Sequence, residues 1–549
     1  MTQRRAVAVL SLLLIVATSA PAQIPSLGET IEVAIVNVDV VVTDAKGKRV
    51  YGLTRDDFEV LENGKPQPLS HFAEYRGAAT GGTAELELQQ QAEKPPAQRR
   101  TLVIFIEQFR LPKFRVDPFI ASVKNLVRTA IRPGDSVSVV TFDGGAKVRL
   151  SPTSDVAAVE AKLDEIGAEC VGVVSERTKM AAIEAREVRA FDAEGAAMLA
   201  ARGIASSRPS ENDIAIHAAH MFAIESRLEM NRRVATINTL IHGLAGVEGK
   251  KMLILASHRL GEYVGAEFYY AAGVQSAVIP PQERAELDNR PAVRSIISNA
   301  NASGVTIYPI FPTGLDHRPA DPDVPDVSRD VLMNEMVMLK EIAHQTGGVT
   351  SYGTANTAEL MPHIAEDMSE YYSLAYRATS RREDAARDVV VRTKDRTLTV
   401  RSRREFVEKS DDTRMRDRVL AALHDAPIDS SIRLAAELGK PAKVSRKTRT
   451  TPLKVRIPIG SLTLLPQGAK HTGAFTIYAI TGGRLGEVSE VTRRTQSFDI
   501  PAADLQRANA SHFTYNFDVV LTDQTRQLAV GVLDEVSKSY GLVTVPIAQ

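Results

Sequence analysis

Short apolar runs alternate with amphipathic segments through the middle of this chain, and that rhythm dominates its hydrophobic and polar pattern. Residues 101–106 (TLVIFI), 136–142 (SVSVVTF), 251–256 (KMLILA) and 305–311 (VTIYPIF) suit strands buried on both faces of a parallel sheet. Between the first two, Phe119, Ile120, Val123, Val127, Ala130 and Ile131 recur at helical spacing and predict a helix over 116–131. Arg132-Pro133-Gly134-Asp135 stops it. Residues 146–150 read as an edge hairpin partner of 136–142, with Asp143 and the glycines after it making the turn. A long, mostly helical stretch covers 155–244, and its last helix places Ile224, Leu228, Val234, Ile237, Ile241 and Leu244 on one face. Further helices are expected over 292–300, 331–345 and 357–369, the middle one ending at Thr346-Gly347-Gly348, where glycine supplies a left-handed cap. The alternation predicts an α/β fold over residues 100–378, a doubly wound, mostly parallel, Rossmann-like sheet that includes 371–376 (YYSLAY). Residues from about 165 to 245 form a helical insert longer than ordinary loops.

Outside this region the period changes. Residues 31–43 (IEVAIVNVDVVVT) are β-rich, and turns follow at residues 44–48 (DAKGK) and at Asn63-Gly64, the latter a strong hairpin signal. Thr54 caps one helical turn, with Asp57 as its capping-box partner. Together these make an N-terminal β module over 30–76. Residues 77–99, rich in Gly, Ala, Gln, Glu and Pro, read as a linker. Residues 388–393 and 397–401 read as a closing hairpin (386–406) turning at Lys394-Asp395. A polar helical connector spans 409–439. Residues 440–549 are strand-rich, with turns at Pro466-Gln467-Gly468 and Thr481-Gly482-Gly483, and predict a C-terminal β-sandwich of immunoglobulin-like type.

Composition narrows the function. The 67 basic and 67 acidic residues of the 549 balance, which argues against a bulk nucleic-acid footprint. Arg4 and Arg5, an apolar run over 6–17 and Ala20-Pro21-Ala22 have the form of an export signal, residues 1–22, cleaved after Ala22. Its removal takes two arginines and no acid, leaving 65 basic against 67 acidic residues. No later segment has the length of a spanning helix, so the mature chain is expected to be periplasmic or secreted, without a transmembrane segment. The single Cys170 builds neither a disulfide nor a metal site and is expected to be inert or partly buried. No nucleophile elbow, zinc-protease helix or phosphate-binding loop is present, so no enzyme activity is expected.

Candidate chemistry concentrates where strand 101–106 runs into Glu107-Gln108-Phe109-Arg110-Leu111, because an α/β sheet presents ligands at the carboxyl ends of its strands. His217, His220 and His242 lack the further ligands zinc would need and read as helix-surface histidines. Asp316, Asp321, Asp323 and Asp326 lie in a Pro-rich loop, 316–326, that this topology brings to the same edge; they read as a solvated loop or, alternatively, as an acidic rim.

The segments VNVDVVVTDAKGKRVYGLTRDDFEVLENGKPQPLSHF, LKEIAHQTGGVTSYGT, YYSLAYRAT and TVRSRREF resemble the bacterial secreted VWFA-related family, over residues 31–406. The resemblance implies a von Willebrand factor type A domain whose usual job is holding a protein partner. Many such domains do so through a metal-ion-dependent adhesion site, with Asp-x-Ser-x-Ser after the first strand and a Ser-Asp-Gly-like turn after the fourth. Here those positions carry Glu107, Phe109 and Leu111, then Ser257-His258-Arg259. Hard cations want six or more oxygens, so no divalent cation or other cofactor is expected; any metal would fall to Glu107, Ser257 and Asp316. The implied partner is another protein in the cell envelope or outside the cell, met by Glu107, Phe109, Arg110, Ser257, His258 and Arg259. The alternative is an atypical metal-dependent adhesin using Glu107 and the 316–326 loop.

Overall fold

Alternation in the first strand sets up a buried face: β1 (Ile35–Thr43) buries Val36, Val38 and Val40 and exposes the residues between them. The computed structural model describes residues 35–76, 99–107, 113–171, 211–247, 249–257, 260–271, 279, 281–311, 328–350, 357–378, 383–423, 430–446, 448–483 and 488–547. The export signal, most of the 77–99 linker, residues 172–210 of the insert, and Phe109, Arg110, His258, Arg259 and the 316–326 loop lie outside them. After β1, the Asp44 carboxylate accepts from the backbone N–H groups of Lys46 (2.8 Å) and Lys48 (2.9 Å) and closes the turn. The Thr54 N–H donates to Asp57 Oδ2 at 2.7 Å, starting the expected helical turn. β2 (Phe58–Glu62) and β3 (Lys65–Gln67) are joined by Asn63 and Gly64 at φ 48° and 78°, the conformation that a two-residue hairpin loop needs. β4 (Leu69–Tyr75) follows.

The α/β region begins with β5 (Arg100–Glu107) and continues through α1 (Lys113–Ala130), β6 (Ser136–Phe142), β7 (Ala146–Thr153), α2 (Val156–Cys170), α3 (Glu211–Ala245) and β8 (Lys250–Ala256). It ends with α4 (Ala266–Ala271), α5 (Pro281–Leu287), α6 (Arg290–Ser303), β9 (Val305–Ile310), α7 (Ser328–Thr346) and α8 (Thr357–Ser369). Strand order is β7-β6-β5-β8-β9, parallel throughout except for the antiparallel edge strand β7. Leu102, Ile104 and Ile106 pack toward α1, α2 and α8, whereas Val103 and Phe105 pack toward α3, α6 and α7. Both faces are covered, as a doubly wound sheet requires.

The next strand departs from the expected sheet. β10 (Tyr371–Arg377) does not extend the parallel sheet but pairs antiparallel between β1 and β4. β11 (Ala386–Thr393) pairs with β2, β12 (Thr399–Arg401) with β1, and β13 (Glu405–Val407) with β11. Residues 388–393 and 397–401 therefore do not form a hairpin with each other; the chain turns at Asp395, whose Oδ1 accepts from the Thr397 N–H at 2.9 Å, and crosses between sheets. The two four-stranded sheets, β12-β1-β10-β4 and β13-β11-β2-β3, share one core around Val38, Phe58, Val60, Tyr372, Leu374 and Val389. An alternating apolar strand is compatible with either sheet, and only pairing across some three hundred residues decides between them. The outer edge of β9 is closed by side chains instead: Ile307 N–H donates to Thr346 Oγ1 (3.2 Å) and Thr350 Oγ1 donates to the Pro309 carbonyl (2.7 Å).

The α/β region thus leaves from β4 and returns through its neighbour β10, an insertion into a β-sandwich. A buried charge cluster ties the two together. Asp367 of α8 accepts from Arg401 of β12 at 2.8 and 3.0 Å, from Arg49, and from the Tyr308 hydroxyl of β9 at 3.1 Å. Lys250, at the start of β8, donates to the Asp367 carbonyl at 2.7 Å and lies 3.5 Å from the Tyr371 ring centroid. Burial pushes the Asp367 carboxyl up, but Arg401, Arg49 and Lys250 outweigh it and hold the group below the usual carboxylate range. Burial also pulls the Lys250 ammonium below its ordinary value.

α9 (Asp411–Ala422) starts at Ser410, whose hydroxyl accepts from the Thr413 N–H. The remaining strands are β14 (Ala435–Leu438), β15 (Ala442–Lys443), β16 (Thr448–Pro458), β17 (Leu465–Gln467), β18 (Lys470–Gly483), β19 (Thr492–Pro501), β20 (His512–Thr522), β21 (Thr525–Asp534) and β22 (Tyr540–Pro546). They form two antiparallel sheets around Leu453, Val455, Phe475, Ile477, Val530 and Val532. Thr481-Gly482-Gly483, expected as a turn, stays in β18 as a register shift. α9 lays Met415 and Val419 against Tyr478, Ile480, Ala529 and Leu533 on the outer face of β18 and β21.

Candidate functional site

Parity along β5 decides where its last residue points. Side chains of a strand alternate between faces, so Glu107 follows Val103 and Phe105 toward α3. The same rule sends Phe142, at the end of β6, and Ser257, just after β8, to that side. The three converge where the strand order reverses between β5 and β8, the crevice in which open α/β sheets bind ligands.

Instead of opening toward a ligand, Glu107 is paired within the fold. Arg233 of α3, only 1% exposed, donates through Nη2 to Glu107 Oε1. The Ser257 hydroxyl donates to Oε2 at 2.8 Å. Glu107 and Ser257 are themselves buried. The guanidinium carbon of Arg233 lies 5.7 Å from the Phe142 ring centroid, and Glu229, one helical turn earlier, is 3.5 Å from Nη2. A buried carboxylate needs a counter-charge and satisfied lone pairs, and Arg233 with Ser257 supplies both. Divalent cations need an oxygen cage; here both oxygens of the Glu107 carboxylate are engaged, one by a fixed positive charge. Among the described residues, no three His, Cys, Asp or Glu side chains gather as metal ligands would.

Of the residues that sequence reasoning placed here, the structure joins Glu107 and Ser257. Phe109, Arg110, His258, Arg259 and Asp316 fall outside the described residues. Arg233 was missed, although its signal was present: it stands in helical register with Met230, Val234 and Ile237, a charge on an apolar stripe. The histidines separate. His220 Nδ1 lies 3.0 Å from the Tyr269 hydroxyl, which donates to Glu283 at 2.7 Å. His242 faces Asp417 of α9 at 3.6 Å. Asp143 opens the hairpin turn, with Gly144 at φ 69°, and Cys170 is buried.

α3 outruns the sheet. Arg233 meets the end of β5, so residues 211–232 continue past the carboxyl edge, roughly 30 Å along the helix axis at the helical rise per residue. One side of this extension packs Ala219 and Ala223 against Tyr269, Ile279 and Leu287. Met221, Ile224 and Leu228 are 55%, 38% and 57% exposed. The expectation that Ile224 and Leu228 share the buried face of Val234, Ile237 and Ile241 is therefore corrected: at their height there is no sheet to pack on.

No protein-family model matches the chain, and no curated protein matches it. Among solved structures it is similar to an aerotolerance-related membrane protein from Bacteroides fragilis, a form with multiple mutations to serine (13% identity, TM-score 0.22, 49% of this chain and 98% of that one). It is also similar to the conserved hypothetical protein BatB from Bacteroides thetaiotaomicron (12%, TM-score 0.21, 49% and 96%). A third is the vWF domain of the type V pili tip protein Mfa5 from Porphyromonas gingivalis (12%, TM-score 0.20, 49% and 94%). The class, a doubly wound α/β domain set into a β-sandwich with an ion pair in its switch-point crevice, rests on strand order and pairing alone. No described helix is long and apolar enough to cross a membrane.

Proposed function

We propose that this is an exported, non-enzymatic protein-binding protein of adhesion or scaffold type, built on a von Willebrand A-like domain whose metal site has become an internal ion pair. The observation that carries this reading is Arg233 on Glu107: a permanent cation stands beside the crest carboxylate, so the site holds its charge balance without a bound ion. Residues 1–22 direct the chain out of the cytoplasm, and the partner is another protein of the envelope or the exterior. It is met by Phe109, Arg110, His258 and Arg259 at the crest, by the loop over 316–326, and by the exposed stripe Met221, Ile224 and Leu228 on α3. An apolar stripe with a charged rim is the composition that protein interfaces favour.

Two measurements test this together. Calorimetric titration of the mature protein with Mg²⁺, Ca²⁺ and Mn²⁺ is expected to give no saturable heat. Affinity capture from an envelope extract, with and without chelator, is expected to retain the same partner, and to lose it in Phe109→Ala/Arg259→Ala. Strict dependence of capture on a divalent cation would overturn the proposal in favour of an adhesin using Glu107, Ser257 and Asp316.

A further inference from the structure

We propose that β20 is the surface through which two copies of this chain pair, antiparallel and edge to edge, centred on Phe517. Edge strands expose unpaired N–H and C=O groups, and sheets ordinarily blunt them with Lys, Pro, bulges or short length. β20 has none of these. It pairs with β16 over its whole length without a register shift, from His512 opposite Pro458 to Thr522 opposite Thr448. Its sequence, HFTYNFDVVLT, contains no Lys, Arg or Pro, and Asp518 is its only acid. Two other long edges among the described residues are defended: β19 carries Arg493 and Arg494 and ends at Pro501, and β7 carries Lys147, Arg149 and Pro152 and breaks register twice. Among the described residues, nothing pairs with the outer side of β20.

The sandwich core is also open at this edge. Val519 and Leu521 are buried, yet Phe513, Tyr515 and Phe517 on the same inner face are only half-buried. These rings already form a row: Phe513 lies 5.1 Å from Phe475 and 5.4 Å from Phe498, and Tyr515 lies 5.9 Å from Phe517.

A second copy fits the edge because β20 is complementary to itself. Antiparallel pairing about Phe517 uses the whole strand. On the inner face it sets Phe517 opposite Phe517, Tyr515 opposite Val519 and Phe513 opposite Leu521. On the outer face it sets Asn516 opposite Asp518, Thr514 opposite Val520 and His512 opposite Thr522. Aromatic and β-branched residues meet, and no like charges do. Each pair joins residues of the same parity, so outward backbone groups meet outward backbone groups. The contact is two-fold and closes on itself.

The test is sedimentation of the mature chain from low to high micromolar concentration. The wild type is expected to shift from monomer to dimer. Thr514→Lys/Val520→Lys, two exposed positions that this register places opposite each other, is expected to remain monomeric with an unchanged melting temperature. Under mild oxidation, an equimolar mixture of Asn516→Cys and Asp518→Cys proteins should give more cross-linked dimer than either alone. A wild type that stays monomeric, as it would if a strand from elsewhere in the chain or from another protein covers the edge, overturns the proposal. So does a dimer that survives the lysine pair, or cross-linking no greater in the mixture.

Discussion

Arg233 lies wholly inside the fold with its guanidinium on the Glu107 carboxylate, and the two residues stand 126 positions apart in the chain. Removing one partner of such a pair leaves a buried, uncompensated charge. Arg233→Met should therefore cost about 3–5 kcal/mol of stability, while Glu107→Gln/Arg233→Met should recover most of it. Urea denaturation of the two variants with Glu107→Gln closes the double-mutant cycle; additive losses would show that the ion pair is not coupled.

The stripe on α3 separates binding from stability. Met221 and Leu228 are exposed, so Met221→Glu/Leu228→Glu should change stability by no more than about 1 kcal/mol, twice the usual surface allowance. Partner capture should be lost. Capture at wild-type level by a normally folded double variant would remove the stripe from the binding surface.

At the seam, Asp367 makes stability depend on acid. Its folded-state value is depressed by the neighbouring arginines against the opposing effect of burial, so the unfolded chain takes up a proton at higher pH than the folded one. Its contribution is complete above about pH 5 and is lost as pH falls through the folded value, below about pH 4. Asp367→Asn should lower stability by several kcal/mol at neutral pH, leaving Arg49 and Arg401 without their carboxylate. The gap between variant and wild type should narrow on acidification. Chemical denaturation at neutral pH and again below about pH 4 reads both effects, and a pH-independent gap would refute the assignment.

Two glycines should respond differently to alanine. A Cβ at Gly348 would lie 2.0 Å from the Ile307 carbonyl oxygen, so Gly348→Ala must move backbone at the closed edge of β9 and should cost more than about 3 kcal/mol. Gly64 has open space and only a left-handed φ of 78°, so Gly64→Ala should cost about 1–2 kcal/mol. Thermal melts of the two variants give the order, and a reversed order would contradict the close approach.

Local chemistry was legible in this sequence by itself. The Thr54–Asp57 cap, the Asn63-Gly64 hairpin, the stop at Arg132-Pro133-Gly134-Asp135 and the two-face apolar strands each depend on residues a few positions apart, and the chain states them directly. The crest at Glu107 was legible too, because strand ends in a doubly wound sheet have a known side; Ser257 was reached only through the family resemblance. Tertiary structure alone decided which sheet took β10, that 388–393 and 397–401 part company, that Ile224 and Leu228 stand clear of the core, and that Arg233 closes the crevice. An apolar period says that a surface will be buried but not against what. The partner is chosen by pairings across hundreds of residues, where burial and charge compensation, not sequence spacing, set the energy.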